Sequence, residues 1–359
     1  MKLLRILLLP LSLLYGGVVY VRNKFYDWNI LSISKPSIAT ISVGNLSVGG
    51  TGKTPHIEYL IQLLKTEFYI ATLSRGYGRK TEGFLLADTQ SVATDIGDEP
   101  MQFKKKFPRL RIAVDTDRVR GVKLLVQNYP SLQAVLLDDA FQHRAIKTGL
   151  SILLTDFSNL FTSDYLLPTG NLREFGCGYK RADIIIVTKC QTVFLPIERK
   201  RLIDEIKPTT HQQIYFSYLK YGDFISLYSG DNAFTKEYYY ERGFSILLVT
   251  GIANSTPLEY YIKSKVRNVE QLKFPDHHQF KREDMEKIRK KFTDITSANK
   301  LIVTTEKDTM RFRSNEYIDL LKGLPIFYLP IEIVFHDKDK ISFDEQILNY
   351  VRSNQKTLQ

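Results

Sequence analysis

The consecutive residues Ser47, Val48, Gly49, Gly50, Thr51, Gly52, Lys53 and Thr54 have the types and order that hold phosphate. Glycines without Cβ let main-chain N–H groups close on phosphate oxygens, and a following helix N-terminus adds partial positive charge. In such a loop the lysine reaches the β- and γ-phosphates, and the last hydroxyl ligates Mg²⁺. Ser47 stands where the pattern ordinarily opens with glycine. The flanks agree with the motif. An apolar, β-branched run (Ser37–Val43) precedes it and a segment of helical periodicity (Pro55–Leu64) follows, which gives strand, turn, helix. A tight turn with a solvated lysine would not require that context. The chain reads as a binder of a nucleoside triphosphate.

Other residues extend the chemistry. Asp138 and Asp139 end the apolar run Val135–Leu137, the place of carboxylates that hold Mg²⁺ across from such a loop. Capping of the next helix is the alternative, and which of the two would touch the metal stays open. His143 and Arg144 follow closely. Two polar clusters in turns, Gly97–Pro100 and Phe274–Phe280, supply Asp98 and His277. Such a pair can share a proton and strip the hydrogen from a substrate hydroxyl, a weak acid that needs a base at the moment of attack. Because one lies in each half of the chain, they meet only at an interface, where closure would also exclude water. Arg75, Arg79, Arg118 and Arg173 sit in loop contexts, and arginine forks grip phosphate, so an anionic substrate fits. Glu174 reads as a metal ligand or as the ion-pair partner of a neighbouring arginine.

These residues need elements to position them. At 359 residues, 43% hydrophobic and 25% charged, the chain is globular and long enough for two domains. Apolar runs at Phe68–Leu73, Leu132–Leu137, Ser151–Leu154 and Asp183–Val187 suit strands buried on both faces, with helical stretches such as Arg118–Val126 between them. The expected fold class is α/β: a P-loop domain with a mainly parallel sheet over 26–211, then a smaller α/β domain over 246–359. The latter holds strands at Ser245–Thr250, Leu301–Thr305 and Ile326–Pro330, a helix at Glu283–Lys291 and a closing helix over 342–353. Between them, 212–245 is rich in tyrosine and phenylalanine, with Tyr-Gly-Asp and Ser-Gly-Asp turns, and reads as an antiparallel β-ribbon linker. The Lys104–Lys106 cluster reads as a solvated face.

Lysine and arginine total 50 against 39 acidic residues, a net charge of +11. That excess suits nucleic acid, an anionic membrane surface or a phosphorylated substrate. No nucleic-acid recognition motif is present, so nucleic acid is not expected as a partner. Cys177 and Cys190 make neither a disulfide framework nor a metal site, which fits a reducing compartment. At the N-terminus, Ile6–Val21 carries no charge and is flanked by Lys2 and Arg5 before and by Arg22 and Lys24 after. As a helix it would measure roughly 24 Å against a hydrocarbon core of ~30 Å, and Pro10 interrupts it. Residues 1–25 therefore read as a membrane-associating segment lying in the interface, rather than a span or a cleaved signal.

Taken together, the motifs resemble the tetraacyldisaccharide 4'-kinase family, the lipid A 4'-kinases of Gram-negative bacteria. The likeness rests on Val43–Pro55, Ser74–Arg79, Gly97–Pro100, Asp138–His143, Asn171–Glu174, Phe274–His277 and Thr305–Asp308, in that order. Ala140 stands where glycine is expected, a small-for-small change. The resemblance implies transfer of the γ-phosphoryl of ATP, with Mg²⁺, to the 4'-hydroxyl of an acylated disaccharide 1-phosphate lipid. It also implies work at the cytoplasmic face of the inner membrane, with no obligate protein partner. By position, Asp98 and His277 would be the base dyad, Lys53 would stabilise the phosphoryl group, and Thr54 with Asp138 or Asp139 would place Mg²⁺. Tyr77, Arg118, Asn171, Arg173 and Glu174 match positions expected near substrate or metal. The rival reading is a membrane-attached ATP-driven switch acting on a protein partner. A guanine-specific switch is disfavoured, since Val187–Cys190 lacks the aspartate of an Asn/Thr-Lys-x-Asp motif.

Overall fold

A computed structural model describes residues 6–228, 234–313, 316–336 and 339–355. Two sheets organise the chain. The larger is built from β1 (Ala39–Asn45), β2 (Ile70–Ser74), β3 (Leu85–Leu86), β4 (Arg111–Val114), β5 (Ala134–Asp138), β6 (Leu150–Asp156), β7 (Ile184–Thr188) and β8 (Gln213–Tyr221). The smaller holds β9 (Ile225–Ser226), β10 (Ser245–Thr250), β11 (Val269–Lys273), β12 (Lys300–Thr305) and β13 (Ile326–Leu329). A last strand, β14 (Ile331–Phe335), returns to the larger sheet, giving the orders β14-β8-β7-β6-β1-β5-β2-β4-β3 and β11-β10-β12-β13-β9. From β8 to β4 the strands run parallel, with antiparallel edges at β14 and β3; β9 is the antiparallel edge of the smaller sheet.

Burial explains these strands. β1, β2, β5 and β7 are buried along their whole length, as expected where helices cover both faces of a parallel sheet. One cover is the helix Lys53–Leu64, which turns Ile57, Leu60, Ile61 and Leu64 onto the sheet at helical spacing. The carboxyl ends of parallel strands are where ligands bind in open α/β sheets. Here β1 ends in the glycine loop, β2 in Ser74, and β5 in Asp138 beside Val43 of β1.

The second half departs from the expected boundaries. β8 is not part of a local ribbon within 212–245: it extends the large sheet beside β7, and its antiparallel partner is β14. The C-terminal helix Asp339–Gln355 likewise leaves the smaller unit and buries Phe343, Ile347 and Val351 in the core of the large sheet. The stretch 331–355 thus belongs by pairing and packing with the first unit rather than with 246–330. Long-range pairing of this kind leaves no local signal. The Ser-Gly-Asp turn at 229–231 lies outside the described residues. Lys106 is not on a solvated face either, for its Nζ sits 2.7 Å from Glu58 and 3.6 Å from Glu306.

The N-terminal helix runs Leu9–Asp27, and Pro10 occupies its first turn, where a missing N–H costs nothing. It therefore starts the helix rather than interrupting it. Ser12 and Gly16 face the protein: the Ser12 hydroxyl meets Leu166 O and Thr169 Oγ1, and a Cβ at Gly16 would lie 2.5 Å from Leu166. Among the described residues, no helix is long and apolar enough to cross a membrane.

Candidate active site

A cavity of about 980 Å³ lies between the two sheets, lined by the glycine loop, Ser74–Tyr77, Arg118, Asp138, Asp139, Arg173 and Glu174 on one side and by His277 and Thr305–Lys307 on the other. Both sheets present carboxyl ends to it. Gly49 and Gly52 have φ of 110° and 91°, a region closed to most side chains, and a Cβ on Gly49 or Gly50 would meet nothing within 4 Å. The glycines there keep an open cradle of backbone rather than relieving a crowded turn. Val48 N–H donates to Asn171 O, and the Thr188 hydroxyl donates to Thr51 O, so both ends of the loop are tied to the fold. Asn45 donates to Thr51 Oγ1 at 2.8 Å and accepts from Lys53 Nζ at 3.3 Å, which aims the lysine along the loop.

Asp138 and Asp139 part ways electrostatically. Burial, with Asp139 and Glu99 nearby, pushes the Asp138 carboxyl up to about 6, and one of its oxygens accepts from Ser74 Oγ. Burial acts on Asp139 in the same sense, but Lys53 and Arg173 outweigh it and hold its carboxyl below the ordinary range. Arg173 NH1 donates to both Asp139 oxygens at 2.9 Å, and Lys53 Nζ lies 3.6 Å away. Asp139 is thus paired directly with protein cations, while at Asp138 burial and the neighbouring carboxylates outweigh the attraction of Lys53 and Arg118. An all-oxygen set of the Thr54 hydroxyl and the Asp138 carboxylate fits a hard divalent cation that keeps much of its water.

Across the cavity, His277 Nδ1 lies 3.0 Å from Asp98 Oδ2, so the two halves do meet. Asp98 opens the helix Asp98–Lys106, and Gly97 before it, at φ 95°, passes so close to Tyr77 O that a Cβ would come within 2.9 Å. His277 sits at φ 57° in the left-handed region, which costs a non-glycine residue about 1 kcal/mol and turns its ring towards Asp98. Burial disfavours the Asp98 carboxylate, but hydrogen bonds from His277 and Arg311 outweigh it and hold the carboxyl low. An ionised Asp98 fixes the imidazole hydrogen on Nδ1 and leaves the Nε2 lone pair free to accept. Nε2 takes a hydrogen bond from Lys307 Nζ at 3.0 Å, and that lysine also pairs with Glu99 at 2.9 Å. Tyr77 packs edge-on against His277 with ring centroids 5.1 Å apart. His277, Tyr77, Glu99 and Lys307 line the cavity, whereas Asp98, 7% exposed, stands behind the imidazole.

Of the remaining expected residues, Arg118 is buried and lines the cavity. Its NH2 donates to Asp138 O, and its Nε has no partner among the described residues. Glu174 is paired with Arg181 at 2.8 Å and bonded to Asn23 and Gln142, an ion pair, although not with its neighbour Arg173. The Asn171 side chain turns to Asp164 and does not line the cavity; its carbonyl ties down the glycine loop instead. The sequence reading missed Asn45, Lys307 and Arg311. Asn45 and Lys307 lie inside quoted motifs, and Arg311 follows Lys307 by one helical turn.

A mainly parallel sheet whose central strand ends in a glycine loop, with Lys53 aimed along it and a carboxylate–imidazole pair facing it, defines a P-loop nucleoside-triphosphate-binding protein of phosphotransferase type. The sequence profile described as tetraacyldisaccharide-1-P 4'-kinase matches residues 4–352. Tetraacyldisaccharide 4'-kinases from Phocaeicola vulgatus and Bacteroides thetaiotaomicron are 43% and 44% identical, each over 97% of this chain and over 95% and 93% of their own lengths. One from Flavobacterium johnsoniae is 42% identical over 99% of both. A crystal structure of LpxK from Aquifex aeolicus in complex with ATP, 26% identical, superposes with a TM-score of 0.71 over 97% of this chain and 99% of its own. The chain belongs to the tetraacyldisaccharide 4'-kinase family.

Proposed function

We propose that the chain transfers the γ-phosphoryl group of ATP to the 4'-hydroxyl of a tetraacyldisaccharide 1-phosphate, a step of lipid A biosynthesis, with His277 taking the hydroxyl proton. The observation that carries the residue roles is the 3.0 Å contact between Asp98 and His277 across the cavity from the glycine loop. A nucleotide switch has no use for a proton-accepting pair facing its phosphates.

ATP lies with its phosphates in the cradle of Ser47–Thr54, held by backbone N–H groups and Lys53. Thr54 and Asp138 would hold Mg²⁺, which would neutralise phosphate charge; Asp139 keeps Lys53 and Arg173 in place beside them. The acceptor hydroxyl enters where Lys307 Nζ now stands and donates to His277 Nε2, while Asp98 stabilises the imidazolium that forms. Lys53 meets the charge spread over the phosphoryl oxygens. Tyr77 fixes the plane of the imidazole, and Arg118 and Arg173 favour an anionic acceptor.

The same reading places the protein at the cytoplasmic face of the inner membrane. The N-terminal helix turns Leu11, Leu14, Val18, Val21 and Phe25 to the outside, opposite Ser12 and Gly16. Its inner side, through Tyr15, Val19, Arg22 and Asn23, lines the cavity, so a lipid held against the helix is beside the site. The test is an assay with Mg-ATP and tetraacyldisaccharide 1-phosphate in mixed micelles, read by mass spectrometry. One added phosphoryl group with wild type, and none with Lys53→Ala, is expected. Folded wild type that binds ATP and yields no product would overturn the assignment.

A further inference from the structure

The helix Glu306–Arg313 extends the Thr305–Asp308 motif, to which the reaction as described gives only Lys307 a place. One turn beyond Lys307, Arg311 is 3% exposed in its side chain and does not line the cavity, so it touches neither nucleotide nor acceptor. Its Nε and NH2 donate to Asp98 Oδ2 at 2.8 and 2.7 Å, the same oxygen that meets His277 Nδ1, and NH2 also comes within 3.3 Å of that Nδ1. Its NH1 is held from the other side by Gly251 O at 3.2 Å and Asp308 Oδ1 at 3.3 Å. Asp308 is itself fully buried and pinned by Gly251 N–H at 3.0 Å and the Thr305 hydroxyl at 2.7 Å. The guanidinium is therefore fixed by the ends of β10 and β12 in the smaller sheet, while the carboxylate it grips belongs to the larger unit.

We propose that Arg311 is a positioning residue for phosphoryl transfer, fixing the Asp98 carboxylate so that one oxygen meets the His277 imidazole. The inference rests on the Asp98–His277 reading above. Arginine suits the task because its planar fork delivers two N–H groups to one oxygen while a third holds the anchor, which a lysine cannot do. Since His277 and Arg311 come from the same unit and converge on one oxygen, docking that unit on Asp98 and assembling the base are a single event. A merely structural ion pair would lower stability and nucleotide affinity alike.

A double-mutant cycle separates these. Asp98→Asn keeps the shape and removes the charge, and is expected to lower kcat on the order of 1,000-fold. Arg311→Met is expected to lower kcat on the order of 100-fold with the KM for ATP within about threefold of wild type. Combined with Asp98→Asn it should cost little further, because with the ring hydrogen on Nδ1 the 3.3 Å approach of NH2 is no hydrogen bond and Arg311 acts through that carboxylate. Arg311→Lys, which keeps the charge and one bond, should lose about tenfold, again only when Asp98 is present. If Arg311→Met does not fold, judged by its melting curve, the cycle is run with Arg311→Lys. Losses that multiply in the Asp98→Asn background, or an Arg311 variant as active as wild type, would overturn the proposal. A fully active Asp98→Asn would instead sink the base-dyad reading on which it rests.

Discussion

At the scale of single residues, the site divides labour between groups of the same type. Asp138 and Asp139 are neighbours, yet only the second is in direct ion pairs with Arg173 and Lys53, which leaves the Asp138 carboxylate free for the divalent cation proposed there. Asp98 and His277 divide differently: the carboxylate stands behind, and the ring lines the cavity with Nε2 held by Lys307. If the ring takes the proton, His277→Ala should lower kcat by about 100- to 10,000-fold while ATP affinity changes less than about twofold, since the imidazole touches no part of the glycine loop. Added imidazole should restore part of the rate, because the truncation opens space onto the cavity. Parallel loss of ATP affinity, measured by calorimetry, would make His277 structural instead.

At the scale of elements, the strand–loop–helix unit was legible because its signals are local: β-branched strand, glycines at positive φ, apolar residues at helical spacing. That Asp98 and His277 could meet was legible only from the two clusters taken together, since each alone reads as turn chemistry, and the 3.0 Å contact is what the structure adds. The pairing of β8 with β14, the return of the helix Asp339–Gln355 and the reach of Arg311 were not legible, because each depends on a partner more than a hundred residues away. His56 shows the same limit. It sits in the first turns of the P-loop helix, with Nδ1 donating to Gly52 O at 2.7 Å and Nε2 3.1 Å from Ser217 Oγ of β8. Burial pushes its imidazole from the ordinary 6.5 down to about 4. Below pH 6.5 the unfolded chain takes up a proton that the folded chain refuses, so this group erodes stability as pH falls. The loss is about 1.4 kcal/mol per pH unit and ends near pH 4, where the folded state also protonates. Melting curves at pH 7 and pH 5 should therefore show a larger drop for wild type than for His56→Asn; equal drops would remove His56 as the cause.

At the scale of the whole molecule, two mainly parallel sheets turn the carboxyl ends of their parallel strands to one cavity, and the N-terminal helix lines its edge. That helix holds to the protein along one side, through Ser12, Tyr15, Gly16, Asn23 and the buried Tyr26, which does not by itself call for an apolar outer face. Yet Leu14 and Val18 are 69% and 71% exposed, with Leu11, Val21 and Phe25 beside them. Burying a leucine and a valine in a bilayer is worth roughly 3 kcal/mol or more together, about two orders of magnitude in partition. Leu14→Glu with Val18→Glu should therefore weaken binding to vesicles of phosphatidylethanolamine and phosphatidylglycerol about 100-fold in a flotation assay. Stability should change by less than about 0.5 kcal/mol, because both side chains are largely in water already. Turnover of acceptor embedded in those vesicles should fall with the binding, while turnover of a short-chain, water-soluble acceptor should not, since Lys53, Asp98 and His277 are untouched. If the double variant floats as well as wild type, the helix is not the membrane contact. If both acceptors slow together, the helix shapes the cavity rather than delivering lipid to it.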